Sequence, residues 1–221
     1  MSGSGIFITG TDTGVGKTMI ACHLIAALEA SGIEVAVRKP VESGCFYFER
    51  ELIAEDAHHL ATASMSHPLS EEVCHYRYKA IASPARAAML EAKTIYIEQL
   101  VACCQSKAQF MLVEGAGGLL SPIATDGLNI DLIAALGFPA IVVSTDQLGS
   151  INHVLLTLEA LAARRIKAVA VVLNRFQMQT YNPDLDNYHD LSALTDVPIL
   201  QVYKHNIASP VLSRLVELIT E

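Results

Sequence analysis

A glycine-rich segment near the N-terminus constrains the fold of this chain more than any other feature. The residues Gly10-Thr11-Asp12-Thr13-Gly14-Val15-Gly16-Lys17-Thr18 directly follow the apolar run Ile6 to Thr9 and precede an apolar stripe of helical spacing that begins at Ile20. Glycines let the backbone turn its N–H groups towards a phosphate, and a helix start adds a partial charge of about +0.5. The segment predicts a nucleotide phosphate loop, with Lys17 beside the β- and γ-phosphates and the Thr18 hydroxyl placed to bind Mg²⁺.

This loop is a variant of the usual phosphate-binding pattern. Five residues separate Gly10 from Gly16, one more than G-x-x-x-x-G-K-T requires. A plain strand-to-helix turn has no need of the Gly16-Lys17-Thr18 ending, so we keep the nucleotide interpretation. The residues expected to contact the nucleotide here are Asp12, Thr13, Gly14, Val15, Gly16, Lys17, Thr18 and Met19.

Short apolar runs recur along the chain and are separated by segments of helical spacing, such as Leu155, Leu158 and Leu161. Continuous apolar runs are typical of strands that helices cover on both faces. The pattern predicts an α/β fold: a single P-loop NTPase-like domain over residues 1–221, with a mostly parallel sheet and helices on both faces. The predicted strands after Ile6 to Thr9 are Val35 to Arg38, Phe110 to Glu114, Ala140 to Thr145, Ala168 to Asn174 and Pro198 to Val202.

Composition excludes several classes of protein. The hydrophobic share of 52% and charged share of 17% exclude a disordered chain. A net charge of −8 argues against nucleic-acid binding, because a phosphate backbone needs a basic surface. The N-terminus lacks a signal-peptide pattern, and no apolar run approaches the roughly 20 residues that span a bilayer. We therefore expect a cytoplasmic protein with no membrane partner, whose five cysteines are reduced thiols.

Two predicted strand ends carry charged groups suited to phosphate chemistry, because ligands of wound sheets gather beyond the carboxyl ends of the strands. The first strand end is followed by Lys39, which Pro40 biases towards an extended conformation. The second ends at Glu114, and the small residues Gly115, Ala116 and Gly117 after it would let a nucleotide approach the backbone. Glu114 is therefore a Walker-B-like acid in this interpretation.

A magnesium site follows from the same residues. Mg²⁺ takes oxygen ligands, so Thr18, Glu114 and one further carboxylate would suffice together with the phosphates. Asp56 is the candidate, although an acid at a predicted helix start is equally explained by ordinary capping. A third strand end, Asn174-Arg175, offers an amide and a guanidinium to an adenine or its ribose.

The ordered motifs resemble those of dethiobiotin synthetases over roughly residues 6 to 175. They are Thr9 to Thr18, Lys39-Pro-Val-Glu-Ser-Gly44, Val113-Glu-Gly-Ala-Gly-Gly118 and Leu148-Gly-Ser-Ile-Asn-His153. The resemblance implies an enzyme that joins 7,8-diaminononanoate, CO₂ and ATP into dethiobiotin, ADP and phosphate in biotin synthesis. In that reaction a carbamate oxygen takes the γ-phosphoryl group, and the second amine then closes a cyclic urea.

The resemblance also implies roles for individual residues. Lys17 and Lys39 would stabilise developing negative charge, Thr11 and Ser43 would hydrogen-bond the carbamate, and Thr18, Asp56 and Glu114 would bind Mg²⁺. The Gly149-Ser150-Ile151-Asn152 turn is expected to begin a helix whose free N–H groups suit a carboxylate. In the family that helix comes from the partner subunit, so the resemblance implies a homodimer with a shared active site. The residues expected on the substrate side are Thr11, Lys39, Ser43, Ser83, Gly118, Ser150, Asn152 and Tyr188.

The chain departs from the family pattern near its C-terminus. The family's Gly-x-Ile-Pro-like stretch is replaced by Gln201-Val-Tyr-Lys-His205, and Arg175 stands where relatives often have an acid. These departures concern the adenine contacts more than the phosphate chemistry.

One alternative belongs to a different class, the regulatory P-loop ATPase of the partitioning type. Such ATPases carry a lysine early in the phosphate loop, whereas this chain has Gly10-Thr11-Asp12-Thr13. The predicted C-terminal helix, Ala208 to Thr220, also lacks a basic amphipathic membrane face. The enzyme is therefore the preferred hypothesis.

Overall fold

The structure is a computed structural model that describes residues 4–175, 182, 184–203 and 210–220. In chain order, the elements are β1 (Ser4–Gly10), α1 (Lys17–Ala30), β2 (Val35–Arg38), β3 (Val41–Ser43), β4 (Phe46–Phe48), β5 (Glu51–Ile53), α2 (Glu55–Ala63), α3 (Ser70–Val73), β6 (Tyr76–Tyr78), α4 (Pro84–Leu90), α5 (Ile97–Cys103), β7 (Phe110–Glu114), β8 (Pro122–Ala124), β9 (Gly127–Leu128), α6 (Asn129–Leu136), β10 (Ala140–Thr145), α7 (Ser150–Ala163), β11 (Ala168–Asn174), α8 (Asn187–Leu194), β12 (Ile199–Val202) and α9 (Pro210–Thr220).

Six strands form the central sheet, in the order β12-β11-β10-β1-β7-β2. Every pair in this sheet is parallel. Strand β1 lies in the interior between β10 and β7, where Phe7 pairs with Ala140 on one side and Val113 on the other. The six strands predicted from apolar runs are these six, so the predicted α/β fold is confirmed.

Helices cover both faces of the sheet because successive side chains of each strand point to opposite faces. On one face Ile6 and Ile8 of β1 join a core with Leu24 of α1 and Leu215 of α9. On the other face Phe7 joins a second core with residues of α4 to α8, including Leu161 of α7. Both cores are fully buried at these positions.

Three two-stranded sheets lie outside the central sheet and were not predicted. They pair β3 with β6, β4 with β5, and β8 with β9. Strands this short carry little periodicity of their own, since two or three residues cannot display an alternating pattern. The β3–β6 pair is functionally the most relevant, because Ser43 aligns with Tyr78 in it and thereby lies near the 80–84 segment.

Two expectations from the sequence concern membrane-spanning helices and the state of the cysteines. Within the described ranges, none of the helices is both long and apolar enough to cross a membrane. All five cysteines fall in those ranges and are free thiols. Lys204 and His205 of the divergent C-terminal segment, and residues 208 and 209 of the expected last helix, lie outside the described residues.

Candidate active site

The phosphate loop joins β1 to α1 as predicted, and its geometry depends on Gly16. Gly16 has a φ of 96°, in the left-handed region that favours glycine, and caps the start of α1 at Lys17. A Cβ at Gly16 would lie 2.1 Å from Asn174 Nδ2. That same Nδ2 donates a 2.9 Å hydrogen bond to the Val15 carbonyl. The amide of Asn174, at the end of β11, therefore packs against the loop and leaves no room for a side chain at position 16.

Lys17 is folded against its own loop. It is 6% exposed, and its ammonium donates to the Asp12 carbonyl at 2.8 Å. Burial, helped by the neighbouring Lys39 ammonium, lowers the pKa of Lys17 to about 8. A phosphate would supply the negative charge that this buried ammonium lacks.

Lys39 lies at the centre of a charged cluster formed by three separate segments. Its ammonium is 2.5 Å from Asp56 Oδ2 and 2.6 Å from Glu114 Oε1, and the residue is only 3% exposed. Burial by itself would lower the pKa of Lys39, but the carboxylates of Glu114 and Asp56 outweigh it and hold that pKa above its ordinary value. Lys39 is therefore a buried lysine that its two carboxylate neighbours hold in the charged form, rather than a solvated surface lysine.

Thr18 completes this cluster on the phosphate-loop side. Its hydroxyl donates to Glu114 Oε1 at 2.8 Å. Burial opposes ionisation of Asp56, but the Lys39 ammonium and the Thr18 hydroxyl lower the pKa of Asp56. Asp56 thus stays a carboxylate, and its side chain keeps 41% exposure towards the cavity described below.

The residues of this cluster fit a hard divalent cation. Within the described ranges, Glu114 Oε2 is buried and has no hydrogen-bond partner. An unpaired buried carboxylate oxygen is costly unless a ligand or ion satisfies it. The donors of Thr18, Asp56 and Glu114 are all oxygens, which is the ligand set of Mg²⁺.

Glu42 is a site residue that the sequence reasoning missed, although it lies inside the Lys39 to Gly44 motif. Its carboxylate accepts the backbone N–H groups of Asp56 at 3.1 Å and Ala57 at 3.0 Å. These N–H groups belong to the first turn of α2, where the helix itself offers no acceptor, so Glu42 caps a helix whose second residue, Asp56, lies fourteen positions further along the chain. Burial raises the pKa of Glu42. Glu42 thereby orients Asp56.

Asn129 is a second missed residue, and it shapes the loop after β7. It is fully buried at the start of α6. Its Oδ1 accepts the Ala116 N–H at 3.1 Å, and its Nδ2 donates to the Ala116 carbonyl at 2.8 Å and the Gly118 carbonyl at 2.9 Å. Gly115 packs against it so closely that a Cβ would lie 2.5 Å from Asn129 Oδ1. No motif in the sequence marks this amide.

A cavity of about 800 Å³ opens onto the charged cluster. One wall is the phosphate loop and the start of α1, and the opposite wall is the segment from Ile81 to Pro84. The predicted residues that line it are Thr13, Gly14, Gly16, Lys17, Thr18, Met19, Lys39, Ser43, Asp56, Ser83, Glu114, Ala116 and Gly117. The lining residues not predicted are Cys22, Glu42, His59, Ile81, Ala82, Pro84 and Ser121.

The remaining predicted residues do not line this cavity. Thr11 donates its hydroxyl to Ser144 Oγ at 3.1 Å, and Gly118 lies against the backbone of Thr11 and Asp12. Within the cavity, Ser43 donates to the Ala82 carbonyl at 2.6 Å, which joins β3 to the Ser83 segment. The predicted residues outside the lining are Thr11, Asp12, Val15, Gly115, Gly118, Ser150, Asn152, Asn174, Arg175 and Tyr188.

Ser150, Asn152 and Tyr188 form a separate group beyond the end of β10. Helix α7 begins at Ser150, as expected from the Gly149 turn. The Ser150 hydroxyl donates to the Thr145 carbonyl and accepts the Gln147 N–H at 3.1 Å, so this side chain is occupied in building the turn. Asn152 is exposed, and Tyr188 is half-buried on α8.

A parallel sheet, a strand-loop-helix phosphate site and an acid at the end of the neighbouring strand together define the class of P-loop nucleotide-binding proteins. A family model described as an AAA domain matches residues 4–205. The chain belongs to the family of ATP-dependent dethiobiotin synthetases, as its similarity to curated relatives shows.

Two of these relatives illustrate the extent of the similarity. The ATP-dependent dethiobiotin synthetase BioD of Anaeromyxobacter dehalogenans is 41% identical over 174 residues, which cover 77% of this chain and 76% of the relative. The protein of the same name from Vesicomyosocius okutanii is 37% identical over 205 residues, which cover 93% and 92%. The family resemblance inferred from the motifs is confirmed.

Solved structures show the same fold at much lower identity. The septum site-determining protein MinD of Pyrococcus horikoshii, complexed with Mg-ADP, matches with a TM-score of 0.59 and 15% identity. The match covers 98% of this chain and 94% of MinD. At that identity the likeness shows the fold alone, and the motifs separate this chain from the partitioning type of ATPase.

Proposed function

We propose that this chain catalyses the ATP-dependent closure of 7,8-diaminononanoate and CO₂ into dethiobiotin, with release of ADP and phosphate. The observation that carries the proposal is the cavity in which Lys17 and Lys39 face the Ser43 and Ser83 segments. One side of this cavity suits the phosphates of ATP, and the other suits a small polar substrate. The family to which the chain belongs supports the same reaction.

The two lysines act as fixed positive charges. Phosphoryl transfer needs positioning and charge stabilisation more than it needs a general base. Lys17 would follow the γ-phosphoryl group, since its only described hydrogen bond is to the loop carbonyl of Asp12. Lys39 is held in place by Asp56 and Glu114, so its charge is already oriented when a carbamate forms.

The substrate side supplies hydrogen bonds and shape. An amine of the substrate takes up CO₂ as a carbamate, whose oxygen attacks the γ-phosphoryl group and expels ADP. The second amine then attacks the carbamate carbon, the ring closes and phosphate leaves. We assign Ser43 and Thr11 to the carbamate, with Ser83 and Gly118 beside the substrate and Lys39 stabilising the oxyanion. The hydroxyl of Ser43 lies in the cavity wall, where its link to Ala82 keeps it next to Ser83.

Mg²⁺ and ATP are the proposed cofactor and co-substrate. Thr18, Asp56 and Glu114 would hold Mg²⁺, which would supply positive charge to the β- and γ-phosphates. The unpartnered Glu114 Oε2 supports this assignment. The backbone from Asp12 to Met19 and the loop Gly115 to Gly117 would surround the phosphates, with Asn174 and Arg175 on the adenosine side.

We also propose a cytoplasmic homodimer in which each active site is shared. Ser150, Asn152 and Tyr188 do not line the cavity of their own chain, and the start of α7 suits the substrate carboxylate. Complementation tests the shared site. Mixing Lys39→Ala with Tyr188→Ala protein restores activity only if one hybrid site receives Lys39 and Tyr188 from different chains. No restoration from two folded, individually inactive variants refutes sharing.

Mass spectrometry of the product tests the reaction itself. The native protein is mixed with 7,8-diaminononanoate, ¹³C-bicarbonate and MgATP, and a labelled cyclic urea is expected together with ADP. Lys39→Ala protein, checked for folding by circular dichroism, is expected to make much less. Native protein that hydrolyses ATP without forming the labelled urea refutes the proposed synthetase activity and favours a regulatory ATPase.

A further inference from the structure

Asp146, directly after β10, is a fully buried carboxylate outside the cavity. Its Oδ2 accepts Arg175 Nε at 2.5 Å and Gln201 Nε2 at 2.9 Å. Its Oδ1 accepts Asn187 Nδ2 at 2.7 Å. Three donors, from β12, from α8 and from the residue after β11, therefore converge on one buried negative charge, which is the arrangement that makes such a charge tolerable.

On one side, this carboxylate is connected to the phosphate loop. Arg175 follows Asn174, whose amide donates to the Val15 carbonyl. The Asp146 N–H also donates to the Asn174 carbonyl at 3.0 Å, so the backbones of the two strand ends are joined. The Arg175 guanidinium lies over the Tyr203 ring at 5.5 Å, and the Tyr203 hydroxyl donates to Gln201 Oε1 at 2.8 Å. The ends of β11 and β12 are thus set by Asp146.

On the other side, the same carboxylate holds the group of Ser150 and Tyr188. Asn187, which is 1% exposed, donates to Asp146 and also to the Gln147 carbonyl at 3.0 Å. Gln147 in turn donates its N–H to Ser150 Oγ, at the start of α7. Tyr188 is the residue after Asn187 on α8. The turn before α7 and the start of α8 therefore share one anchor.

We infer that Asp146 is a positioning residue that couples two parts of the enzyme. Through Arg175 it positions the nucleotide side. Through Asn187 it positions Ser150, Asn152 and Tyr188, the residues proposed to bind the substrate carboxylate. This inference rests on the proposed function. Removing the negative charge of Asp146 loosens both the nucleotide side and the residues Ser150, Asn152 and Tyr188. Removing the amide of Asn187 loosens only the latter three residues. Loss of positioning for binding raises KM with little change in kcat, and a general loss of folded protein lowers kcat without altering KM.

Steady-state kinetics of dethiobiotin formation separate these effects. The variants are Asp146→Asn, Asn187→Ala and the double variant, with Asp190→Asn on the exposed face of α8 as the matched control. We expect Asp146→Asn to raise KM roughly tenfold for both 7,8-diaminononanoate and ATP, because hydrogen bonds to a charged group are lost. Asn187→Ala should raise only the KM for 7,8-diaminononanoate, by a similar factor. The double variant should resemble Asp146→Asn, because both changes break the same connection.

The possible outcomes are distinct. Asn187→Ala keeps the buried charge with two of its donors, so it provides the test if Asp146→Asn does not fold. If native protein forms dethiobiotin and the folded variants keep both KM values within about twofold, this inference is wrong and the proposed function stands. If the native protein forms no dethiobiotin, the proposed function fails and this inference fails with it.

Discussion

The Lys39 ammonium lies 2.6 Å from Glu114 Oε1, which joins the end of β2 to the end of β7 inside the cavity lined by the phosphate loop. These two residues are 75 positions apart in the chain, and both are nearly inaccessible to solvent. Their contact makes the charge of each tolerable in the interior. In the proposed reaction, this contact also holds a positive charge beside the γ-phosphoryl group that is transferred.

Removing Lys39 is therefore expected to destabilise the fold as well as the reaction. Lys39→Met keeps an unbranched side chain one atom shorter but leaves Glu114 buried without its cation, which should lower the free energy of unfolding by about 3 kcal/mol or more. Urea unfolding followed by circular dichroism measures this. Lys107→Met, at an exposed position, should stay within about 0.5 kcal/mol of the native protein. Equal unfolding midpoints for Lys39→Met and native protein contradict the prediction.

Glu42→Gln tests the orientation of Asp56. A glutamine oxygen can still accept one of the two N–H groups of α2, but its NH₂ group faces the other N–H. The free energy of unfolding should therefore fall by about 1 kcal/mol, and Asp56 should lose its fixed position. At constant ATP, the Mg²⁺ concentration for half-maximal activity should rise several-fold. Glu55→Gln, the exposed neighbour in the first turn of α2, serves as control. An unchanged Mg²⁺ requirement in Glu42→Gln argues against this role.

Two glycines of the phosphate loop should respond differently to alanine. Gly14 and Gly16 both have positive φ, but a Cβ at Gly14 meets nothing within 4 Å, whereas one at Gly16 meets Asn174 Nδ2. Gly14→Ala should therefore destabilise the loop conformation only by the backbone strain, which is about 1 kcal/mol. Gly16→Ala should cost more and abolish nucleotide binding, because the Asn174 bond to Val15 must break. Calorimetric titration with MgATP measures the affinities, and equal loss in both variants contradicts the steric argument.

The lowered pKa of Lys17 predicts proton uptake on nucleotide binding. With a pKa of about 8, Lys17 is about half protonated at pH 8, and the phosphates favour its charged form and raise its pKa. Binding at pH 8 should therefore take up about half a proton, and affinity should fall as the pH rises above 8. Titrations in buffers of different ionisation enthalpy count the protons. Lys17→Met should lose this uptake, and native protein with none at pH 8 disproves the assignment.

The sheet was predictable because its signals are local. Each strand of the central sheet is a short run of apolar residues, such as Ala168–Asn174, and each is read from its own neighbours. The phosphate loop is likewise contiguous, and its glycines and Lys17 mark their own roles. The short outer strands, such as Val41–Ser43, escaped prediction because their pairing depends on a partner that is distant in the chain.

The sequence by itself determined the fold class, the phosphate loop, and the strand ends that carry Lys39 and Glu114. Only the tertiary structure decided that Asp56 faces Lys39, that Glu42 caps α2, and that Asn129 holds the loop after β7. It also separated Ser150 and Tyr188 from the cavity of their own chain. The physical reason is that periodicity and turn chemistry act between neighbours in the chain, whereas these polar contacts join residues that only the packing of the fold brings within hydrogen-bonding distance.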